Sequence, residues 1–322
     1  MTNENNYQAL SAALKNADSI GIFSHVSPDG DTIGSGLALY GALKALGKTV
    51  FIACADPIPQ KLLFLPGAAA VTQNPPKAAK PLDLAIAVDT ASYERLGVFG
   101  HDFSRAKNTA VIDHHKSNPR YGKINIVVEC AATAEIIYRI LKENALLSDD
   151  AAACLFAGIV TDSGCFAFSS VTPETHAIAA ELMNGFKFDA ENIIYNTYRA
   201  KSLQVFKLRN AVLSKCKFYN DGQIAVVSIF QSDLKDTGAG ESDTEGIVTD
   251  GISIIGVEVA FSLTEMPNKQ FKVSIRTKNY VDANDCAAAF GGGGHTRAAG
   301  CRLSGNYYDI VDKLLKVARD RL

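Results

Sequence analysis

Short, unbroken apolar runs alternate with helically spaced segments through the first part of the chain. Residues 19–24 are apolar on both faces, as a strand buried in a parallel sheet is, and residues 49–53, 84–88 and 109–112 give three further strands. Helical spacing covers residues 7–15, 32–46, 134–144 and 149–160. Thr172 ahead of Pro173 and Glu174 marks another helix start, with Asn184 and Gly185 at its stop. Residues 190–200 read as one more helix. Strand and helix in alternation predict βαβ units with right-handed crossovers: an α/β domain with a parallel sheet and helices on both faces.

The pattern changes near residue 205. Residues 223–229 predict a strand. Residues 256–263 and 270–278 alternate apolar and polar positions, and are joined through Glu265-Met266-Pro267-Asn268-Lys269 as an antiparallel hairpin. A short helix over 284–290 runs into four glycines and His295, and a last helix spans 308–320. This half predicts a smaller α+β domain. The organisation expected is a first domain over 1–189, a helical linker over 190–204 and a second domain over 205–322. A length of 322 residues suits two domains.

Composition narrows the classes. The chain is 47% hydrophobic and 20% charged, enough for a packed core in each half. A net charge of −2 argues against tracking long nucleic acid on a basic surface, but allows a short ligand held by local charges. Seven cysteines, an odd number without a Cys-x-x-Cys pair, favour a reducing, cytoplasmic setting. The N-terminal residues lack a leader pattern, and no apolar run reaches the ~20 residues that span a bilayer. No membrane is expected as a partner.

The candidate chemistry lies at the ends of the apolar runs. One run ends in Ser24-His25 and leads into Asp29-Gly30-Asp31; another leads into Asp89; a third ends in Asp113-His114-His115; a fourth, 155–161, leads into Asp162. Ligands at the carboxyl edge of a parallel sheet are how α/β folds build such sites. Asp29, Asp31, Asp89 and Asp162 together would repel, unless cations neutralise them. Two divalent ions balance four carboxylates, with His25 and His114 as neutral ligands. Carboxylate and imidazole without thiolate suits Mn²⁺, or Mg²⁺, better than structural zinc. Ions ~3.5–4 Å apart can clamp an in-line displacement at phosphorus. Asp89, central among the segments, is the expected bridge, and Asp113 is expected to orient the adjacent histidines. His101 and His176 keep an ordinary structural reading. In the second half, Gly291, Gly292, Gly293 and Gly294 are expected to present backbone N–H groups to a phosphate or ribose. Arg276 and His295 are expected to add charge or hydrogen bonds, with Lys278 and Arg297 as weaker candidates.

His25-x-x-x-Asp29-x-Asp31, Asp89, Asp113-His114-His115 and Asp162 resemble the ordered motifs of the DHH phosphoesterase superfamily. Phe290, the four glycines, His295 and Ala298-Ala299-Gly300 resemble the signature of its DHHA1 domain. The resemblance implies that His25, Asp29 and Asp89 hold one ion, while Asp31, Asp89, His114 and Asp162 hold the other. It places His115 over the scissile phosphate. The two-domain plan resembles the bacterial nanoRNase/pAp-phosphatase branch. That implies cleavage of very short single-stranded RNA to mononucleotides and dephosphorylation of adenosine 3′,5′-bisphosphate (pAp). RecJ-type relatives carry further domains, and family II pyrophosphatases end differently. Hydrolysis of cyclic di-AMP or pApA is the alternative within the superfamily, and a non-catalytic nucleotide-binding module is the alternative outside enzymes. A homodimer is left open. One departure is Glu129-Cys130-Ala131-Ala132-Thr133, where relatives often have serines; it leaves a polar contact near the site unassigned.

Overall fold

The computed structural model describes residues 3–76 and 80–322. Met1 and Thr2, part of the run read as lacking a leader, lie outside them. Among the described residues no helix is long and apolar enough to cross a membrane. The chain divides into two compact units, Met1–Ala200 and Lys201–Leu322.

In the first unit the strands are β1 (Ser19–Phe23), β2 (Thr49–Ala53), β3 (Val71–Thr72), β4 (Leu84–Val88), β5 (Asn108–Asp113) and β6 (Ile124–Val127). The helices are α1 (Asn3–Asn16), α2 (Gly30–Ala45), α3 (Gly100–Arg105), α4 (Thr133–Glu143), α5 (Asp149–Asp162), α6 (Pro173–Gly185) and α7 (Ala190–Ile194). The strands are parallel in the order β3-β2-β1-β4-β5-β6. Alternate side chains serve the two faces. Ile20, Ile22, Leu84, Ile86, Val88 and Ile112 pack with α2, α4 and α5. Phe23, Ala85, Ala87 and Val111 pack on the other face with Leu96, Phe99 and Phe103. Each such fully buried large side chain contributes about 1.5–3 kcal/mol. The strand order reverses between β1 and β4, and the crevice at such a switch point is where open α/β sheets bind ligands.

Asp162 ends helix α5, in line with the helical spacing read over residues 149–160. Two details differ from the pattern-based expectations. β3 and β6 are additional strands: both are short, and only half of β6 is buried, so neither stands out as an apolar run. Residues 190–199 belong to the first unit rather than to a connector, because Ile193 is buried in its core, and a π-helical turn, Tyr195–Arg199, follows α7 directly.

The second unit contains β7 (Lys217–Tyr219), β8 (Ile224–Ile229), β9 (Val259–Glu265), β10 (Gln270–Thr277), β11 (Gly293–His295) and β12 (Ala298–Ser304), with helices α8 (Leu203–Leu213), α9 (Gln231–Thr237), α10 (Ile247–Ile252), α11 (Ala283–Ala288) and α12 (Tyr307–Arg319). The sheet order is β11-β12-β10-β9-β8-β7, antiparallel except for the parallel pair β8 and β9. The hairpin between β9 and β10 forms as its alternating pattern predicts, with Ile275, Val273 and Phe271 turned into the core. Buried Ile310, Leu314 and Leu315 of α12 close the same core.

Candidate metal centre

The site is assembled from the carboxyl ends of β1, β4 and β5 and from two helix termini. His25 follows β1 and is 3% exposed. Asp29 is the N-cap of α2: its carboxylate accepts from the Asp31 and Thr32 amides, each at 3.1 Å. Capping places Asp29 at the positive end of the helix and starts α2 so that Asp31 points inward. Asp31 is fully buried. Its oxygens accept from Thr133 N (2.6 Å), Ala134 N (2.9 Å) and Ser35 Oγ (3.0 Å). Ala132, at the N-cap of α4, has no side chain that can cap, so Asp31 supplies from α2 the acceptor that α4 lacks. α2 also packs closely against α5. A Cβ on Gly34 would lie 2.3 Å from the Cys154 carbonyl oxygen, and one on Gly158 would lie 2.9 Å from Asp31 Oδ1. Only glycine fits at either position.

Asp89 follows β4 with φ +54°, a left-handed conformation that Asp tolerates better than most residues. Its amide donates to the Ile112 carbonyl at 2.8 Å, and its Oδ1 accepts from Thr133 Oγ1 at 2.9 Å. The carboxylate thereby faces both neighbouring groups of ligands. Asp89 Oδ2 is 3.6 Å from His25 Nε2, and Asp89 Oδ1 is 3.6 Å from His114 Nε2. Asp29 Oδ2 lies 3.4 Å from His25 Nε2, and Asp162 Oδ2 lies 3.1 Å from His114 Nε2. Asp162 leads into a strained turn. Gly164 adopts φ 59° freely, but Cys165 and Phe166 also have positive φ (57° and 65°), a cost of the kind that collects at functional sites.

Candidate donor atoms gather within 4.8 Å of one another in three sets: His25, Asp29 and Asp89; Asp31, His114 and Asp162; Asp89, His114 and His115. The sets overlap at Asp89 and His114. The electrostatics favour added positive charge in this cluster. Burial drives Asp31 well above the ordinary carboxylate value, and the charges of Asp89 and Asp162 drive it further. Burial also opposes charge on His25, but Asp29 and Asp89 outweigh it and raise the ring to about 10. His114 rises against its burial to about 11 under Asp162, Asp31 and Asp89. With no cation, protons fill the role. The residues also fit divalent ions in orientation. His114 Nδ1 donates to the Cys130 carbonyl at 3.0 Å, which leaves Nε2 buried, without a hydrogen-bond partner, and turned toward the carboxylates.

His115 is built differently. Its Nδ1 is 2.8 Å from Asp113 Oδ1, and Asp113 Oδ2 accepts from Asn118 Nδ2 at 2.6 Å. Burial works against a charged His115, yet Asp113 and Asp89 raise its pKa above the ordinary imidazole value. Asn118 and Tyr121 both donate to the Thr90 carbonyl, at 3.1 and 3.0 Å, and brace this loop. Thr133, Asn118 and Tyr121 escaped the sequence reading because polar residues in loops and at helix starts carry no periodic signal. Thr133 alone had a pointer, since it lies in the segment whose polar contact was unassigned.

In the second unit, Arg276 lies on β10 opposite Ala298 of β12, with Nη1 donating to the Ile275 carbonyl at 3.1 Å. Partial burial lowers its pKa. His295 is exposed on the edge strand β11. The glycine run is less open than expected. Gly291 N and Gly292 N donate to Ala288 and Ala287 carbonyls, and Gly294 N donates to Asn284 Oδ1. Gly293, Gly294 and His295 pair with β12. The expectation of several free N–H groups there is therefore corrected: pairing to β12 and the end of α11 uses them. Arg297 is committed to the Val281 and Asn279 carbonyls, and Lys278 is exposed. His176 stacks on Phe166 with ring centres 5.2 Å apart, and His101 is exposed, in keeping with structural roles.

Comparison with known proteins adds three findings. Residues 19–159 match the DHH family, N-terminal domain, and residues 221–322 match the DHHA1 domain. The chain is 36% identical to the bifunctional oligoribonuclease and PAP phosphatase NrnA of Thermus thermophilus over 94% of this chain and 89% of that one. It is 29% identical to the protein of the same name from Bacillus subtilis, covering 92% and 93%. Among solved structures, an exopolyphosphatase-related protein from Bacteroides fragilis superposes with a TM-score of 0.92 at 27% identity, covering 98% and 96%.

Proposed function

This chain belongs to the DHH family of phosphoesterases, and from that premise we propose that it hydrolyses very short oligoribonucleotides to mononucleotides and removes the 3′-phosphate from pAp. It is a phosphoester hydrolase of a metal-dependent family. The observation that carries the chemistry is the sharing of one carboxylate, Asp89, between donor sets on either side of it. The two relatives named oligoribonuclease and PAP phosphatase, aligned over nearly the whole chain, supply the substrate class.

His25, Asp29 and Asp89 would hold one divalent cation, and Asp31, Asp89, His114 and Asp162 a second. Mn²⁺ suits this donor set, with Mg²⁺ as the substitute. Cations held there supply Lewis acidity at the phosphoryl oxygens and lower the pKa of water. His115, charged and oriented by Asp113, meets the negative charge that builds on the phosphoryl group and gives a proton to the leaving oxygen. Asp113 keeps the ring in register through its own bond from Asn118. Arg276 and His295 would form the nucleotide-holding part, with the glycine run serving as the edge strand that carries His295. Seven free thiols fit work in the reducing cytoplasm.

The test is hydrolysis by purified protein with Mn²⁺ or Mg²⁺ of pAp, pApA, cyclic di-AMP and labelled RNAs of increasing length. Turnover is expected on pAp and on the shortest RNAs, falling with length, and Asp89→Asn should abolish it. A clear preference for cyclic di-AMP or pApA over pAp and the shortest unmodified RNAs would replace this reading.

A further inference from the structure

Asn118 lies in the loop after β5 and is 4% exposed. A turn sets its backbone, with Asn118 N donating to the His115 carbonyl at 3.1 Å. Every polar atom of its side chain is occupied. One Nδ2–H donates to Asp113 Oδ2 at 2.6 Å and the other to the Thr90 carbonyl at 3.1 Å, while Oδ1 accepts from Arg120 N at 2.7 Å. The amide cannot be turned over, because that would set its oxygen against two acceptors and its donors against an N–H. An Asp of the same shape would press two carboxyl groups together.

These bonds tie together the exits of two neighbouring strands. β4 and β5 pair in parallel, with Val88 beside Ile112. Asp89 and Thr90 follow β4, and His114 and His115 follow β5. Asp113 Oδ1 is 2.8 Å from His115 Nδ1, and that nitrogen lies 3.8 Å from Asp89 Oδ1. One donor of Asn118 therefore fixes the carboxylate that sets the His115 ring, and the other fixes the exit that carries Asp89. The second task is shared: Tyr121 Oη also donates to the Thr90 carbonyl, at 3.0 Å, so that exit stays braced without Asn118. The first is a short bond to a fully buried carboxylate, where a missing donor is costly.

We propose that Asn118 is a positioning residue for the reaction: it holds the Asp113 carboxylate in the orientation that aims the His115 ring, and it fixes the spacing of that ring from Asp89. This rests on the phosphoesterase reading given above and adds to it a residue that acts only through Asp113 and His115. Tyr121, which meets the same loop without touching Asp113, has no such role.

The experiment is a double-mutant cycle on pAp and on the shortest RNA: the parent, Asn118→Ala, His115→Ala and the double variant, with Tyr121→Phe beside them. Asn118→Ala should lower kcat by about tenfold to 150-fold, the loss of one hydrogen bond to a charged group, with KM and metal content unchanged. Tyr121→Phe should keep most of kcat. In the His115→Ala background, Asn118→Ala should cost nothing further, because residues that act as a unit are not additive. The same factor lost with and without His115, or equal losses from Asn118→Ala and Tyr121→Phe, would reduce Asn118 to a brace of the loop and overturn the proposal; unchanged kcat would overturn it as well. Should Asn118→Ala not fold, Asn118→Asp keeps the shape and the acceptor for Arg120 N, lacks the amide donors, and is read through the same cycle. If the parent cleaves neither substrate, the functional reading fails separately. Crystal structures of the metal-free parent and the Asn118 variant then decide: Asp113 and His115 should be turned from their parent positions with Thr90 in place, and finding both unmoved would overturn the proposal.

Discussion

His114 gives its Nδ1 proton to the Cys130 carbonyl, whereas His115 gives its own to Asp113. The first arrangement turns a buried Nε2 toward carboxylates, 3.1 Å from Asp162 Oδ2, and the second braces His115 with an anion that raises its pKa. His114→Ala should therefore lose metal and activity together. His115→Ala should keep its metal while turnover falls by roughly 10²–10⁴-fold. Metal analysis with single-turnover kinetics checks this, and metal loss from His115→Ala with retention by His114→Ala would reverse the roles. Loading should also expel protons. His25 and His114, at about 10 and 11 without a cation, are charged at neutral pH, and each must release a proton to bind a metal. Mn²⁺ uptake at pH 7 should release roughly two protons or more per chain. Calorimetry in buffers of different ionisation heat measures the number, and a value near zero would remove these rings from the ligand set.

Helices and strands set the geometry in which such rings meet. α2 and α5 approach closely because Gly34 and Gly158 leave no Cβ between them, and α4 begins on the carboxylate of Asp31. In the second unit, Glu258 holds the turn after β10. It is 3% exposed and accepts from the amides of Asn279, Tyr280 and Val281 at 2.8–3.1 Å. Burial opposes ionisation of Glu258, but those N–H donors outweigh it and hold the carboxyl below its ordinary value. A folded-state pKa below the unfolded value adds stability above the unfolded pKa of ~4.3, and that stability is lost as pH falls through the folded value. Glu258→Gln should cost about 1.5–3 kcal/mol at pH 7, and the gap to the parent should narrow below about pH 4. Urea unfolding at both pH values gives the difference, and an equal gap at both would refute the charged role.

The proposed metal ligands all lie in the first unit, and Arg276 and His295 lie in the second. Ligand capture and bond cleavage should therefore separate on mutation. Arg276→Ala and His295→Ala should each weaken pAp and dinucleotide binding by roughly tenfold to 150-fold, the loss of a charge-assisted hydrogen bond. Metal content should hold, and a small chromogenic phosphodiester should be cleaved nearly as fast as by the parent. Equal losses on the chromogenic diester and on dinucleotides would place these residues in the chemistry instead.

Strands with unbroken apolar runs and strongly capped helices were legible from local pattern. β2 and β4 match the apolar runs residue for residue, and α6 begins at Pro173 behind its Thr172 cap. The candidate donors were legible for a related reason: histidines are few, and several stand beside acids at the ends of apolar runs. What local pattern lacks is distance. That Asp31 caps a helix 102 residues further on and that Thr133 reaches Asp89 are facts about chain crossings. The glycine run shows the same limit, since a loop with open N–H groups and an edge strand share one composition. Residue type and spacing determine which groups are available; only the packed sheet and helices decide which of them meet, because hydrogen bonds and charge pairing depend on separations of a few ångströms.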